Sequence, residues 1–494
     1  MKKTLYKSFL PYLLIAIALI SGCVKEEEPI IPEVIPEATE VNSFIWNGLN
    51  DYYLWNSLIP ELTNTEYKNK DSLNAFLNTY TDPQELFTSL LYKYEEVDKW
   101  SFLVDDSKEI DDWIAGISET MGYDFMLGRI GGSNDLFGFV RYVYKGSPAE
   151  IAGLKRGDIF LKVNDQQLTV SNYQTLLFAT KTYTLAFATI ANSSISINSR
   201  TLTMTAVEMQ ENPINKDTIF VFDNQKIGYL VYNGFNSDFD IQLNDVIKKF
   251  KDANIDRLIL DLRYNGGGSV QSSIYLASMI YGTDATKVFA KAKYNSGLQS
   301  YLVSEYGLAS LSDNFTTFID KTDKNPVTAI NTLNLNKIHI IVSDNTASAS
   351  EMLINGLRPY MNVTVVGINT NGKYTGSMTV KDWNEQGTVN PNHKWAMQPI
   401  VVKYANSRDE SDYVNGLAPT IIAEEDFANL LPFGDPNEDL LKVVLADIKG
   451  IPITSKVLKS AKMGLRKVAD SRDFKPFANE MYINPEKFQK LKSE

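Results

Sequence analysis

Cysteine and histidine are almost missing from this chain of 494 residues. Cys23 is the single cysteine, and His339 and His393 are the two histidines. This excludes a disulfide framework and a thiolate metal cluster, and it disfavours a cysteine nucleophile. A zinc site or a Ser-His-Asp triad would depend on one histidine, and His339 sits in the apolar run KIHIIVSD, which predicts a buried strand. We therefore expect no metal site and no organic cofactor.

Basic stretches interleaved with aromatic residues are also missing. The formal net charge is -12, so the chain repels the phosphates of nucleic acids, and nucleic-acid binding is not expected. Hydrophobic residues make up 44% of the chain and charged residues 22%. That composition is typical of a globular protein with about two to four domains.

The first 22 residues have a basic start, an apolar stretch and small residues before Cys23, the pattern of a secretory signal. The apolar run is shorter than the ~20 residues that a membrane helix needs. Its end, ISGC, resembles the lipobox of bacterial lipoproteins. That resemblance implies lipidation of Cys23, and thus an outer membrane lipoprotein of a Gram-negative-type envelope, facing the periplasm or the surface. An uncleaved anchor, or a signal peptide that happens to contain a cysteine, is the alternative.

Residues 23–42 are rich in Glu and Pro and predict an extended tether. Residues 43–110 have helical periodicity and predict a helical N-terminal domain. Residues 111–208 change to short strands and turns, and Ser147 to Glu150 predict a capping box with proline at the first helical position.

The stretch GSPAEIAGLKRGDIFLKVND resembles a PDZ domain, and we assign residues 111–208 to it. PDZ domains bind the C-terminal tail of a protein as an added strand. The resemblance implies that the carboxylate-binding loop precedes this stretch, in MGYDFML, at Gly122, Tyr123 and Asp124.

Residues 209–448 alternate apolar strand-length runs with helical segments, which predicts an α/β core. Residues 449–494 carry eleven Lys or Arg against five Asp or Glu. We expect them to form a basic, helical tail that folds back on the acidic body.

Three stretches of the α/β core can carry chemistry, although each has a plain structural alternative. LDLRYNGGGSV predicts a strand, a glycine turn and a helix start, where backbone N–H groups can hold an oxyanion. The structural alternative is a tight turn between a strand and a helix. SDNTASASE places a serine at a strand-to-helix turn, but Thr346, Ser348 or Ser350 could simply cap the helix, with Glu351 completing a capping box from Ser348. Lys373 follows a strand; it is a surface charge or, if desolvated, a general base.

Together these stretches resemble the C-terminal processing, or tail-specific, serine peptidases. TASASE is intact, and Lys373 follows Ser348 at the family's spacing of twenty-five residues. The resemblance implies a crotonase-like α/β core, with Ser348 as the nucleophile and Lys373 as its general base. It also implies an oxyanion hole made by the N–H of Ala349 and by that of Gly267 or Gly268.

Three positions depart from the family pattern: Ser377 stands where a lysine-orienting glutamine is common, Ile368 replaces a glutamate, and Tyr374 replaces a glycine. We therefore treat Ser377 as the candidate support of the lysine. The predicted function is a lipid-anchored endopeptidase that recognises protein C-terminal tails and uses a Ser-Lys dyad. A non-catalytic peptide- or small-ligand-binding lipoprotein on the same fold is the first alternative, and a structural surface lipoprotein is the second.

Overall fold

The computed structural model describes residues 35–130, 132–191, 194–322, 326–384, 387–452, 465–475 and 477–484. The predicted signal peptide, Cys23 and most of the predicted tether therefore lie outside the described residues. Within the described ranges, no helix has both the length and the apolar character that crossing a bilayer requires.

The N-terminal region is helical, as its periodicity predicts. Its elements are α1 (Glu40–Tyr52), α2 (Pro60–Thr63), α3 (Lys70–Leu77), α4 (Pro83–Ser89), β1 (Phe102–Val104) and α5 (Lys108–Ala115). Asp82 caps α4 by accepting the N–H of Gln84, with Pro83 at the first helical position. The aromatic residues of this region, such as Phe44 and Tyr53, are buried in the main core.

The next region forms the predicted strand-rich domain. Its elements are β2 (Ile117–Thr120), β3 (Tyr123–Ile130), β4 (Phe137–Val143), α6 (Pro148–Ile151), β5 (Ile159–Val163), β6 (Gln166–Gln167), α7 (Tyr173–Phe178), β7 (Thr182–Ala191), β8 (Ser194–Thr205) and β9 (Val207–Gln210). Strands β3, β4, β5, β7 and β8 follow one another across one sheet. Ser147 caps α6 by accepting the N–H of Glu150, and Asn164 and Asp165 turn the chain with positive φ angles of 50° and 61°. The cap of α6 matches the sequence prediction.

The α/β core follows. Its helices are α8 (Asp240–Asp252), α9 (Val270–Tyr281), α10 (Ser296–Tyr306), α11 (Ala349–Leu357) and α12 (Asp439–Ile448). Its strands are β10 (Ile214–Phe222), β11 (Gln225–Tyr232), β12 (Arg257–Asp261), β13 (Gly268–Ser269), β14 (Val288–Lys293), β15 (Ser312–Asn314), β16 (Phe318–Ile319), β17 (Thr328–Ala329), β18 (Lys337–Val342), β19 (Asn362–Gly367), β20 (Thr375–Met378), β21 (Val380–Lys381), β22 (Ala396–Gln398), β23 (Ile400–Asn406) and β24 (Ile421–Ile422).

One core sheet has the order β10-β11-β12-β18-β19-β24, and from β11 onwards its neighbouring strands are parallel. Its side chains alternate between two layers because successive strand residues point to opposite faces. Leu258 and Leu260 pack in the large core that includes residues of α8, α9 and α11, whereas Ile259 packs with residues of α12. The parallel strands are buried on both faces, as their unbroken apolar runs predict.

The C-terminal tail differs from the prediction of a basic helix. Its described residues, 465–475 and 477–484, are called the C-terminal segment below, and they form β25 (Leu465–Asp470), a 3₁₀ turn (Ser471–Phe474) and β26 (Met481–Ile483). Strand β25 joins the edge of the strand-rich domain beside β3. Strand β26 enters the second core sheet, whose order is β13-β26-β20-β23-β14-β15. The helix prediction is wrong for these residues, because they pair as strands with two sheets instead of packing as a helix on the acidic surface.

A buried ion-pair network docks the strand-rich domain on the core. Arg156 donates to Glu425 at 2.6 Å and to the Tyr264 hydroxyl at 3.1 Å. Arg263 of the LDLRYN stretch donates to Glu425 and Glu438 at 2.8 and 2.5 Å. This arrangement fixes the strand-rich domain beside the glycine turn.

Candidate active site

The turn between β18 and α11 presents Ser348. Thr346 Oγ1 accepts the N–H of Ser343 at 2.9 Å and donates to the carbonyl of Leu262 at 2.8 Å. Ser350 Oγ donates to the carbonyl of Asn265 at 3.1 Å. The hydroxyl residues around Ser348 therefore build the turn, and neither Thr346 nor Ser350 is the cap of α11, whose N-cap is Ser348.

Ser348 is not an ordinary helix cap. Its φ of 66° and ψ of -120° lie in a sparsely populated region for a residue with a side chain, and such strain concentrates at functional sites. The Ser348 Oγ is buried and has no hydrogen-bond partner among the described residues. Its backbone N–H donates to Glu351 at 2.8 Å, as the capping box expected from the sequence requires. An activated nucleophile needs a base within hydrogen-bond reach, and in this conformation no hydrogen bond joins the Ser348 hydroxyl to Lys373.

Glu351 connects the serine turn to the lysine turn. Its carboxylate accepts the N–H of Ser348 at 2.8 Å, the Thr370 hydroxyl at 2.5 Å, and the N–H groups of Gly372 and Lys373 at 2.7 and 2.8 Å. Burial raises the pKa of Glu351 to about 7, while these hydrogen bonds oppose the shift. One carboxylate thus fixes the backbone of both candidate catalytic residues, and it does so without the family glutamate that Ile368 replaces.

The glycine turn lies against Ser348. A Cβ on Gly267, whose φ is 112°, would lie 2.5 Å from Ser348 Cβ and 3.1 Å from the nitrogen of Ala349. Only glycine fits there. Ala349 is the first residue of α11, and such an N–H has no acceptor within its own helix, so it suits a developing oxyanion.

The second oxyanion donor stays a prediction. The N–H of Gly267 donates to Asn265 Oδ1 at 2.9 Å in this structure. Gly268, with a φ of 127°, pairs with Met481 of β26.

Lys373 is fully buried beside Trp100 and Glu480. Its Nζ lies 2.7 Å from Glu480 Oε1 and 5.1 Å from the centre of the Trp100 ring. Burial lowers the pKa of Lys373, and the charge of Glu480 acts against that shift. Burial likewise raises the pKa of Glu480, and Lys373 acts against it. The surface-charge alternative for Lys373 is therefore removed, and a desolvated lysine remains, which can serve as a base.

Ser377 reaches the lysine through Glu480. Its hydroxyl donates to Glu480 Oε2 at 3.1 Å and accepts the Gln398 amide at 3.0 Å. Gln398 in turn accepts the hydroxyl of Thr379 at 2.7 Å. The ring of Tyr374 instead packs edge-on against that of Tyr413.

The predicted carboxylate-binding loop of the strand-rich domain already has partners. The carbonyl of Gly122 accepts the Ser147 hydroxyl at 3.1 Å. The Tyr123 hydroxyl lies 2.5 Å from that of Tyr183. Asp124 is buried and pairs with the guanidinium of Arg141. Gly122 thus lies just before β3, and Tyr123 and Asp124 are its first two residues. Asp124 places a negative charge at this position.

Sequence reasoning missed Glu480, Gln398 and Trp100. Glu480 lies in a segment with no sequence motif, and Gln398 and Trp100 stand in stretches that predict only strands or core packing. Glu351 was identified as a capping residue but not as the link to the lysine turn. Two features of the sequence could have revealed this link. Glu351 directly follows Ser350 at the start of a predicted helix, and the lysine turn has Ile368 where the family has a glutamate.

Comparisons with known proteins agree with this geometry. The model of "Peptidase family S41" matches residues 226–421, that of the "Peptidase S41 N-terminal domain" matches residues 40–102, and a PDZ domain model matches residues 139–181. Residues 226–421 thus match an S41 peptidase domain, and matches to an S41 N-terminal domain and a PDZ domain precede it.

Among the relatives is the carboxy-terminal processing protease CtpA of Bacillus subtilis (strain 168), 27% identical over 304 residues, which are 60% of this chain and 55% of CtpA. A CtpA-like serine protease of Staphylococcus aureus (strain COL) is 25% identical over 339 residues, 65% of this chain and 60% of that protein. The chain therefore spans less than two thirds of the length of these curated relatives.

A solved S41 protease structure from Bacteroides fragilis NCTC 9343 shares the fold. It superposes with a TM-score of 0.65 at 23% identity, over 85% of this chain and 100% of that one. The predicted fold class, an α/β peptidase core preceded by a PDZ domain and a helical domain, is confirmed.

Proposed function

We propose that the chain is a serine endopeptidase that acts on protein C-terminal tails. The observation that carries this proposal is the junction at Glu351, which joins a strained serine with a free hydroxyl to the backbone of a desolvated lysine. No other buried arrangement described above brings a hydroxyl nucleophile and a candidate base to one carboxylate.

The chemistry follows from the two residues. Lys373, when neutral, takes the proton of Ser348 Oγ as the oxygen attacks a peptide carbonyl carbon. The resulting oxyanion is held by the N–H of Ala349 and by a second donor of the glycine turn, Gly267 or Gly268. The lysine then protonates the leaving amine, and water hydrolyses the acyl-enzyme.

The remaining parts of the proposal concern location and substrate. The lipobox-like ISGC sequence supports lipidation of Cys23 and anchoring to the outer membrane, on its periplasmic or surface side. The PDZ domain supports recognition of substrate tails by strand addition.

A non-catalytic peptide-binding lipoprotein is the second candidate function. It is favoured by one observation, that Ser348 and Lys373 are both fully buried and that Lys373 is paired with Glu480.

Hydrolysis of an unfolded reporter protein by the purified chain separates the two candidates. Ser348→Ala and Lys373→Ala should each lower the rate by at least about a thousandfold. Ser304→Ala, an exposed serine on α10, is the matched control and should leave the rate unchanged. Peptide binding without turnover in the unmodified chain would favour the second candidate.

A further inference from the structure

The C-terminal segment adds a strand, β25, to the edge of the PDZ-domain sheet. Strand β25 pairs with β3 in antiparallel register from Leu465 opposite Ile130 to Asp470 opposite Met126. Beyond the strand, the N–H of Phe125 donates to Ser471 Oγ at 3.1 Å. PDZ domains take peptide ligands as an added strand on such an edge. The segment also runs toward the loop at Gly122, as a ligand's C-terminal end would.

Side chains of the segment fill the groove as a ligand's would. The Phe474 ring stacks on that of Phe178 of α7, with centroids 4.0 Å apart, and lies edge-on to Tyr173 at 5.9 Å. Ala469 is buried in the PDZ core. An aromatic residue thus occupies the apolar space between β3 and α7.

Charges hold the same segment in place. Arg141 Nη1 donates to Asp470 Oδ2 at 2.6 Å, and Arg472 Nε donates to Asp124 Oδ2 at 3.1 Å. These groups are almost completely buried, so undocking the segment would leave Arg141 and Asp124 without their second partner. The carboxylate at the end of an incoming tail is an anion that could replace that of Asp470.

The same segment continues into the catalytic cleft. Strand β26 lies parallel to β13 on one side, with Met481 opposite Gly268, and parallel to β20 on the other, with Tyr482 opposite Ser377. It therefore takes the hydrogen-bonding edge beside the glycine turn, which itself lies against Ser348. Just before it, Glu480 pairs with Lys373.

The consequence is a closed site. Ser348 and Lys373 are each 0% exposed, so no peptide can reach them in this conformation. A cavity of about 400 Å³ borders the glycine turn, and Phe477, Asn479 and Tyr482 of the segment are among the residues that line it.

We propose that the C-terminal segment is an intramolecular inhibitory ligand that occupies the PDZ groove and the catalytic cleft together. A substrate tail displaces it from the PDZ groove, which releases β26 and opens the way to Ser348. The groove then selects free C-terminal tails with an aromatic side chain near the end. This inference rests on the proposed function, because it names the regulation and the substrate class of the same site.

A reversible disulfide tests the inference in the full chain. Cys23→Ser removes the only native thiol. Arg129→Cys with Arg466→Cys then joins two residues that face each other across β3 and β25. Facing residues of antiparallel strands have Cα atoms about 4.5–5.5 Å apart, a separation that a disulfide spans. The matched control is Thr182→Cys with Thr205→Cys, an exposed facing pair across β7 and β8 of the same sheet.

Hydrolysis of an unstructured peptide that ends in Phe with a free carboxylate is measured in oxidised and reduced protein. We expect the oxidised Arg129–Arg466 variant to be at least about tenfold slower than its reduced form, and the control pair to show no difference. Equal rates in both forms, or a faster oxidised form, would overturn the inference.

Binding of the same peptide, labelled with a fluorophore, distinguishes failure of the inference from failure of the proposed function. It is measured in the Ser348→Ala background, where turnover is not needed. Weaker binding in the oxidised form supports the inference even if no form hydrolyses the peptide, in which case only the proposed function fails. Equal binding in both forms overturns the inference even if hydrolysis is observed.

Truncation decides whether β26 inhibits the site or completes it. A chain that stops after residue 464 should hydrolyse the peptide at least about tenfold faster, and a synthetic peptide of residues 465–484 should slow it again. A chain that stops after residue 484 keeps the segment and should behave as the unmodified chain. Lost activity in the shorter chain, with an intact cooperative melting transition, would contradict the inhibitory role.

Discussion

The serine turn and the lysine turn meet at one carboxylate, but they are supported in different ways. Ser348 is positioned by residues near it in sequence and by the glycine turn that packs against it. Lys373 is buried by Trp100 from the N-terminal region and paired with Glu480 from the far end of the chain. The position of Ser348 is therefore set within the catalytic core, whereas the burial and charge pairing of Lys373 depend on segments that are distant in sequence. We therefore expect regulation of the proposed activity to act through Lys373 rather than through Ser348.

The largest effect that tests this comparison is expected at the serine turn. Gly267→Ala places a methyl group 2.5 Å from Ser348 Cβ at a φ of 112°, so the turn must shift. We expect hydrolysis to fall by at least about a hundredfold, with about 1–3 kcal/mol lost from the free energy of unfolding. Gly307→Ala is the matched control, since it also has a positive φ, 76°, but meets no atom within 4 Å. Similar losses of activity in both variants would show that backbone strain alone, and not contact with Ser348, is responsible.

The next largest effect is expected where the two turns meet. Glu351→Gln replaces an acceptor of four hydrogen bonds with an amide that must point its NH₂ at buried donors. We expect about 2–4 kcal/mol of lost stability and at least about a tenfold lower kcat, measured by urea unfolding and by peptide hydrolysis. Glu305→Gln, an exposed glutamate on α10, should change neither. An unchanged kcat in Glu351→Gln would contradict the idea that the serine and lysine turns are coupled through this carboxylate.

A smaller effect is expected when only the lysine turn is loosened. The Thr370 hydroxyl donates to Glu351 at 2.5 Å and accepts the N–H of Leu417 at 2.6 Å. Thr370→Val removes both bonds, and we expect a loss of about 1–3 kcal/mol in stability and about tenfold in kcat. Thr364→Val, at a buried threonine of β19, is the control for the shape change. If kcat falls equally in both variants, the lysine turn does not depend on this hydroxyl.

The smallest effect is a shift in pH dependence. Burial lowers the pKa of Lys373 and the charge of Glu480 opposes this, so Glu480→Gln should lower the lysine pKa further. Because the base must be neutral, activity rises as pH rises through that pKa. The acid limb of kcat/KM, which reports the free enzyme, should therefore move to lower pH in Glu480→Gln. The acid limb of kcat should not move if substrate displaces the C-terminal segment. Glu424→Gln, at an exposed glutamate, should shift neither limb.

Most of the fold was predictable because its signals are local. The parallel strands are apolar runs, the helices between them have clear periodicity, and the caps at Asp82 and Ser147 are set by a few neighbouring residues. Ser348 and Lys373 were singled out for a different reason: the motif TASASE and the spacing of twenty-five residues resemble a peptidase family, whereas the residues alone left a helix cap and a surface charge as alternatives. Their shared dependence on Glu351 was missed, because a capping glutamate and a bridging glutamate look alike in sequence.

The C-terminal segment was not predictable by the same reasoning. Its basic composition suggested a helix that folds back on the acidic body, but the segment instead pairs with strands of two sheets that lie more than a hundred residues upstream. Short strands such as Met481–Ile483 carry too little pattern to reveal their partners. Glu480, in a segment with no motif, therefore became visible only once the chain was folded.

The place of β26 has a consequence for the order in which the enzyme is made. The ribosome completes the nucleophile turn and the lysine turn well before it reaches Met481, the first residue of the strand that joins β13 to β20. A chain that has been made only as far as Lys373 therefore already contains Ser348, the glycine turn and the lysine, but it lacks the strand that covers them. Under the proposed inhibition, the site stays open until β26 has been made and has docked.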